Sequence, residues 1–149
     1  MATRTQIRRG TTTDNNNFKG FIGELTMDTT TKSLRIHDGS TTGGYKIPTL
    51  IASSISGNQW YRKYSDGWVE QGGFNISINE NATVAITLPV TMKNTNYSAL
   101  AQNNTLSTAT DAENGVGIQR TSTTQITLFT HYINPNTISV SWCVYGYYQ

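Results

Sequence analysis

The sequence predicts an all-β protein: a small N-terminal β-module followed by an antiparallel β-sandwich. Three observations carry that prediction. Thr, Asn and Ser together supply 51 of 149 residues; the branched Cβ of Thr suits a pleated surface, while Asn and Ser favour turns. Apolar residues alternate with polar ones again and again from Phe74 onward, the pattern of half-buried strands. No stretch keeps a helical period over a useful length.

In residues 1–50, large apolar side chains are sparse, and Gly and Asx punctuate the chain at "RRGTTTDNNN", "KGFIGE" and "HDGSTTGG". "GELTMDTTTKSLRIHDG" reads as a hairpin with Leu25 and Met27 inward on one strand and Leu34 and Ile36 inward on the other. A block this short and this poor in apolar groups cannot offset its own ordering entropy. It has no disulfide to help, since Cys143 is the single cysteine. Association with copies of itself is the remaining source of stability. Residues 51–59 read as a connector, with the boundary near Gly57.

Residues 60–149 open with "WYRKYSDGWVEQGG", a tight hairpin whose turn needs the positive φ of Gly67. Trp60, Tyr64 and Trp68 are expected to pair across its strands, leaving Tyr61, beside Lys63, the more exposed ring. "FNISI" places Phe74, Ile76 and Ile78 on one side, and "ATVAITL" does the same for Ala82, Val84, Ile86 and Leu88. "NYSALAQ", "GVGIQR", "QITLFT" and "TISVSWCVYGYY" complete seven or eight short strands, which points to a sandwich or barrel. In the last run Ile138, Val140, Trp142 and Val144 share one face, and Cys143 is expected to be a small buried side chain.

Composition excludes several functions. Eleven basic and nine acidic residues leave a net charge of +2, with no basic run longer than Arg8–Arg9, so no nucleic-acid partner is expected. No apolar run approaches a membrane span and no signal-peptide core follows Met1, so mature, soluble protein without membrane insertion is expected. His37 and His131 lie in different blocks, no G-x-S-x-G occurs, and the acids are scattered; an enzyme is not expected. Asp111 and Glu113 are the nearest acid pair, and they read as a solvated loop. No cofactor is expected. A lone His37 on a threefold axis has the chemistry to hold a metal with its copies, but followed by Asp38-Gly39 it reads as a turn residue, so no metal is assigned.

The run "QIRRGTTTDNNNFKGFIGELTMDTTTKSLRIHDGSTTGG", residues 6–44, resembles a β-module near the N-termini of phage tail fibres and related receptor-binding proteins, including the major tropism determinant type. Residues 60–149 resemble, more loosely, the distal tip domain of tail fibres, through the Asp-Gly turn, "QGG", "ITLP" and the terminal "ISVSWCVYGY". The resemblance implies an intertwined homotrimer in the virion, on a tail or head fibre. It implies an N-terminal module that attaches to other phage structural proteins, and a tip that adheres to a host-surface glycan or protein. The alternatives are a head-fibre, decoration or baseplate protein without receptor binding, a glycan depolymerase, and a host-encoded lectin that binds sugar with no virion partner and no need for trimers.

Stacking rings and neutral or charged hydrogen-bonding groups are what a shallow adhesive surface requires. On that basis the receptor-binding candidates are Tyr61, Lys63, Tyr97, Asn103, Asn104, Asp111 and Tyr132.

Overall fold

The structure is a computed structural model, and it describes residues 6–104, 115–131 and 137–149. The chain divides into two units. One comprises the chain up to Ile51 together with Tyr64–Asp66, and the other comprises Ala52–Lys63 with Gly67–Gln149.

The first unit is a four-stranded sheet in the order β1 (Arg8–Gly10), β2 (Leu25–Asp28), β3 (Ser33–Ile36), β4 (Tyr45–Ile47), with β1 parallel to β2 and the rest antiparallel. A six-residue helix, α1 (Thr12–Asn17), interrupts the β pattern. Its signal is a cap rather than a period. The Thr11 side chain accepts from the Asp14 amide while the Asp14 carboxylate accepts from the Thr11 amide, which satisfies two donors a helix start leaves open.

The hairpin alternates as expected, but its faces are reversed. Thr26, Asp28, Ser33 and Arg35 are the buried positions, and they form a polar interior. Leu25, Ile36 and Tyr45 lie in one cross-strand row and Met27, Leu34 and Ile47 in the next. Leu25, Ile36, Tyr45 and Ile47 are between 39% and 56% exposed. Alternation put the four hydrophobes of the hairpin on a common face; which face the rest of the chain covers depends on the loops around it.

Eight strands build the second unit. A five-stranded sheet runs β5 (Leu50–Ser56), β6 (Gln59–Tyr64), β7 (Trp68–Asn79), β12 (Thr137–Tyr147), β9 (Ser98–Asn103). A three-stranded sheet runs β10 (Val116–Arg120), β11 (Gln125–Thr130), β8 (Thr83–Thr87). Their facing surfaces enclose the core, with Val69, Ile78, Ile138, Val140, Trp142 and Val144 from the larger sheet and Ile86, Ile126 and Leu128 from the smaller. Residues 51–59, read from sequence as a connector, are strand β5, a turn at Gly57 and the start of β6. With no charged or Pro residue to mark it, a strand rich in Ser and small side chains looked like linker.

The β6–β7 turn contains Gly67 at φ 90°, as its tightness demands. Trp60, Tyr61, Tyr64 and Trp68 are all half-buried, so Tyr61 is not a fully exposed ring. Trp68 packs edge-on against Tyr147, whereas Trp60 lies over Gly72. A Cβ at Gly72 would stand 2.9 Å from the Trp60 ring and 2.6 Å from the Trp142 carbonyl, so only glycine fits beneath the indole. Further along β7 the register slips opposite Val140–Trp142, with Asn75 at φ 57°. This bulge turns Phe74 out to solvent while Ile78 stays buried, which separates two residues that strict alternation had grouped.

Cys143 is also displaced from its expected place. It is half-buried, because the inward positions of β12 are the neighbouring Trp142 and Val144.

Candidate functional site

Tyr61 and Lys63 project from the same face of β6. Tyr61 pairs with Gln71 and Lys63 with Val69, both fully buried, so the two side chains lie on the core side of the sheet where it extends past the smaller one. There they border an open groove of about 490 Å³, whose other lining residues are Pro89, Val90, Thr91 and Gln149. A smaller hollow at Ser54, Ser56, Gln59, Trp60 and Tyr61 shares Pro89 with it.

The far wall is fixed by a buried amide. Gln71 Nε2 donates to the Val90 carbonyl at 2.9 Å, and the Val90 amide donates back to Gln71 Oε1 at 2.8 Å. The side chain thus pairs with the backbone as a strand would. Gln149 N donates to the Thr91 carbonyl, Met92 N to the Thr123 carbonyl, and the Lys63 ammonium sits 4.0 Å from the centre of the Tyr148 ring. No acidic side chain lines the groove. A second cleft, of about 660 Å³, is lined by Ser53, Ser54, Ile55, Trp60, Tyr61 and Arg62.

The three other sequence candidates among the described residues do not converge on this groove. Tyr97 is 3% exposed and its hydroxyl donates to the Ser122 and Gln125 carbonyls, so it is a core residue. Burial also raises its pKa. The alternation of "NYSALAQ" had suggested a short surface strand, and the aromatic ring at its start fills the core instead. Asn103 is half-buried and Asn104 exposed. Asn104 Nδ2 donates to Ser141 Oγ and its amide to the Ser139 carbonyl. Tyr61, Gln71, Val144 and Ala99 form one row across the sheet; Asn103 is four residues further along β9, which puts it about 20 Å from Tyr61 by strand spacing and rise.

Asn103 and Asn104 belong to the end of the sandwich where Thr137 pairs with Asn79, Val116 with Thr130, and Asn81 N donates to the His131 carbonyl. Lys63 and Val69 mark the other end, about 30 Å away along β7. Asp111 and Tyr132 lie outside the described residues.

Sequence reasoning missed Gln71, Pro89, Val90, Thr91 and Gln149. One signal was available: between Val69 and Gly73 on β7, Gln71 is a polar residue in an inward register, and a buried amide has to find partners.

Apart from Arg35 Nε, the buried polar side chains described in the first unit have hydrogen-bond partners. Burial alone would push the Asp28 carboxyl up, but the Thr31 amide, the Arg35 guanidinium and the Thr12 hydroxyl outweigh it and hold it well below the usual carboxylate range. The Thr41 and Ser40 amides hold Asp38 low in the same way. His37 is buried; its Nδ1 accepts from the Gly20 amide at 3.2 Å and its Nε2 lies 3.0 Å from Thr26 Oγ1. The Nδ1 acceptor places the ring proton on Nε2, which donates to Thr26, so neither nitrogen is open to a metal. Among the described residues no three His, Cys, Asp or Glu side chains group to hold a metal ion, and no helix is long and apolar enough to cross a membrane.

A polar-cored β-module joined to a β-sandwich with an open, hydroxyl-lined groove is an architecture for binding, and the chain resembles phage tail-fibre and receptor-binding proteins. Residues 5–41 match the family model described as the major tropism determinant N-terminal domain. The tail fiber receptor-binding protein of Bordetella phage BPP-1 is 29% identical over 112 residues, covering 66% of this chain and 29% of that protein. Among solved structures, the C-terminal part of a P. aeruginosa R2 pyocin fibre superposes with a TM-score of 0.51 at 20% identity, over 64% of this chain and 25% of that one. An N-truncated R2-type pyocin tail fibre gives 0.51 at 19% identity, over 66% and 39%. These structures share the fold. The chain spans less than a third of the curated relative's length.

Proposed function

We propose that this chain is a homotrimeric fibre protein of a phage-type particle whose second unit adheres to a receptor on the host-cell surface. The observation that carries the reading is the conjunction of two likenesses. A segment matching the tropism determinant N-terminal domain belongs to a chain of which 64% to 66% shares the fold of pyocin tail fibres. The first unit serves assembly and attachment to the particle. Its six outward hydrophobes in two cross-strand rows are the surface that copies of the chain cover, since an exposed apolar patch of this kind marks an interface. The second unit carries contacts that are shallow and multiplied by symmetry, so that weak sites on a common axis gain avidity without a deep cavity.

The test is adsorption of the labelled full chain to permissive cells, with and without competing surface polysaccharide, beside sedimentation to count copies. Binding to permissive strains alone supports the adhesin. Binding to particles but to no cell would make the protein a structural fibre or decoration, and release of reducing ends from surface glycan would make it a depolymerase.

A further inference from the structure

We infer that the groove between β6 and residues 89–91 is a saccharide subsite for an acidic sugar, with Lys63 as the carboxylate anchor; this rests on the adhesin reading above and names its ligand class. The groove is open rather than enclosed, which suits a polymer that passes through instead of a small molecule that is swallowed. Its lining side chains are neutral apart from one cation. Tyr61 contributes a phenol, Thr91 a hydroxyl, Gln149 an amide and Lys63 an ammonium, with no acidic side chain among the lining residues. A ring and hydroxyls lining one groove suit a pyranose, whose apolar face stacks on an aromatic ring while its rim hydrogen-bonds.

The cation decides the class. The Lys63 ammonium lies 4.0 Å from the Tyr148 ring centre, a contact that holds it in place without neutralising it. A carboxylate entering the groove would gain a charge-assisted hydrogen bond. The opposite wall does not need to move to receive it, because the Gln71 amide already holds both polar atoms of Val90. A site fixed in advance loses little ordering entropy on binding. The smaller hollow at Ser54, Ser56 and Gln59 continues the hydroxyl and amide lining for a neighbouring sugar.

The experiment titrates the full assembled chain with short oligogalacturonides, with the same oligomers after carboxyl reduction, and with a glycerol-phosphate polymer, following binding by NMR and by intrinsic fluorescence. The expected result is saturable binding of the uronate, with shifts at Tyr61 and Thr91. Carboxyl reduction or Lys63→Met should weaken it about tenfold, Lys63→Arg should restore it, and melting should be unchanged across the variants. Tighter binding of the phosphate polymer, with the same dependence on Lys63, would overturn the carboxylate assignment. Cell adsorption that survives Lys63→Met and polysaccharide competition but is abolished by protease treatment of the cells would overturn the subsite while leaving the adhesin intact. Absence of adsorption to any strain would instead remove the adhesin reading itself.

Discussion

Arg35 Nη2 donates to Asp28 Oδ2 at 2.9 Å with both side chains almost wholly removed from solvent. The same guanidinium donates through Nη1 to the Gly43 carbonyl at 3.0 Å, while its Nε has no partner. A sheet whose covered side is built on an ion pair, a histidine and two hydroxyl-bearing residues has little hydrophobic stabilisation of its own.

Removing one partner of that pair leaves the other charge buried, and the cost is then about 3–5 kcal/mol. Arg35→Met is expected to melt the first unit well below the wild type by calorimetry. The double variant Arg35→Met/Asp28→Asn should recover a large part of the loss, since no isolated charge remains and the asparagine side-chain oxygen still accepts from the Thr30 and Thr31 amides. A single variant as stable as wild type would show that the pair contributes nothing.

Acid should weaken the same unit. Asp28 and Asp38 are held below their ordinary values, so the folded chain keeps them ionised at a pH where the unfolded chain takes up protons. Their contribution is therefore complete above about pH 5 and is lost as pH falls through the ordinary aspartate value near 4 and below. Denaturant titrations at pH 7, 4 and 3 should give successively lower midpoints for this unit, and Asp38→Asn should flatten that slope.

Leu34 stands at the centre of the row Met27–Leu34–Ile47. Leu34→Glu places three like charges together if three copies meet there, and also removes about 1.5–3 kcal/mol of apolar burial per copy. Sedimentation velocity should show trimers for the wild type and single chains for the variant, with the first unit's melting transition lost and the second unit's retained. A wild type that sediments as a folded single chain at micromolar concentration would end the assembly reading.

Tyr97→Phe removes a hydroxyl that donates to two backbone carbonyls. The expected cost is about 1 kcal/mol in chemical denaturation, with no change in cell adsorption. Loss of adsorption at unchanged stability would return Tyr97 to the binding surface.

What was legible in the sequence followed from period and turn chemistry. The strand faces of 138–144 and the glycine turn at 67 appear in the structure as read, because alternation and positive φ are local properties. Three kinds of information were not local. Which face of the 25–36 hairpin is covered depends on α1 and the loops, so Leu25 and Thr26 could not be ranked from their alternation. The slip at Phe74–Asn75 depends on a partner strand more than sixty residues away. The groove depends on Gln71 reaching Val90, a contact between residues nineteen apart that periodicity does not encode. That Tyr61 and Lys63 share a strand face was visible in sequence, whereas the wall opposite them was not.

That wall supplies the most direct link between fold and binding. Gln71→Leu keeps the volume of a fully buried side chain but leaves the Val90 amide and carbonyl without their partners. Unpaired buried polar atoms cost about 1–3 kcal/mol, and residues 89–91 would shift to recover water. Stability should fall by that amount while the β6 side of the groove, with Tyr61 and Lys63, keeps its place. If binding needs a preset wall, Gln71→Leu will weaken uronate binding through a slower association rate as well as a faster release, and Gln71→Glu, which retains the acceptor for the Val90 amide, will fall between the two. Surface plasmon resonance on immobilised polysaccharide separates the rates. Equal affinity for all three chains would mean that Pro89, Val90 and Thr91 do not touch the ligand.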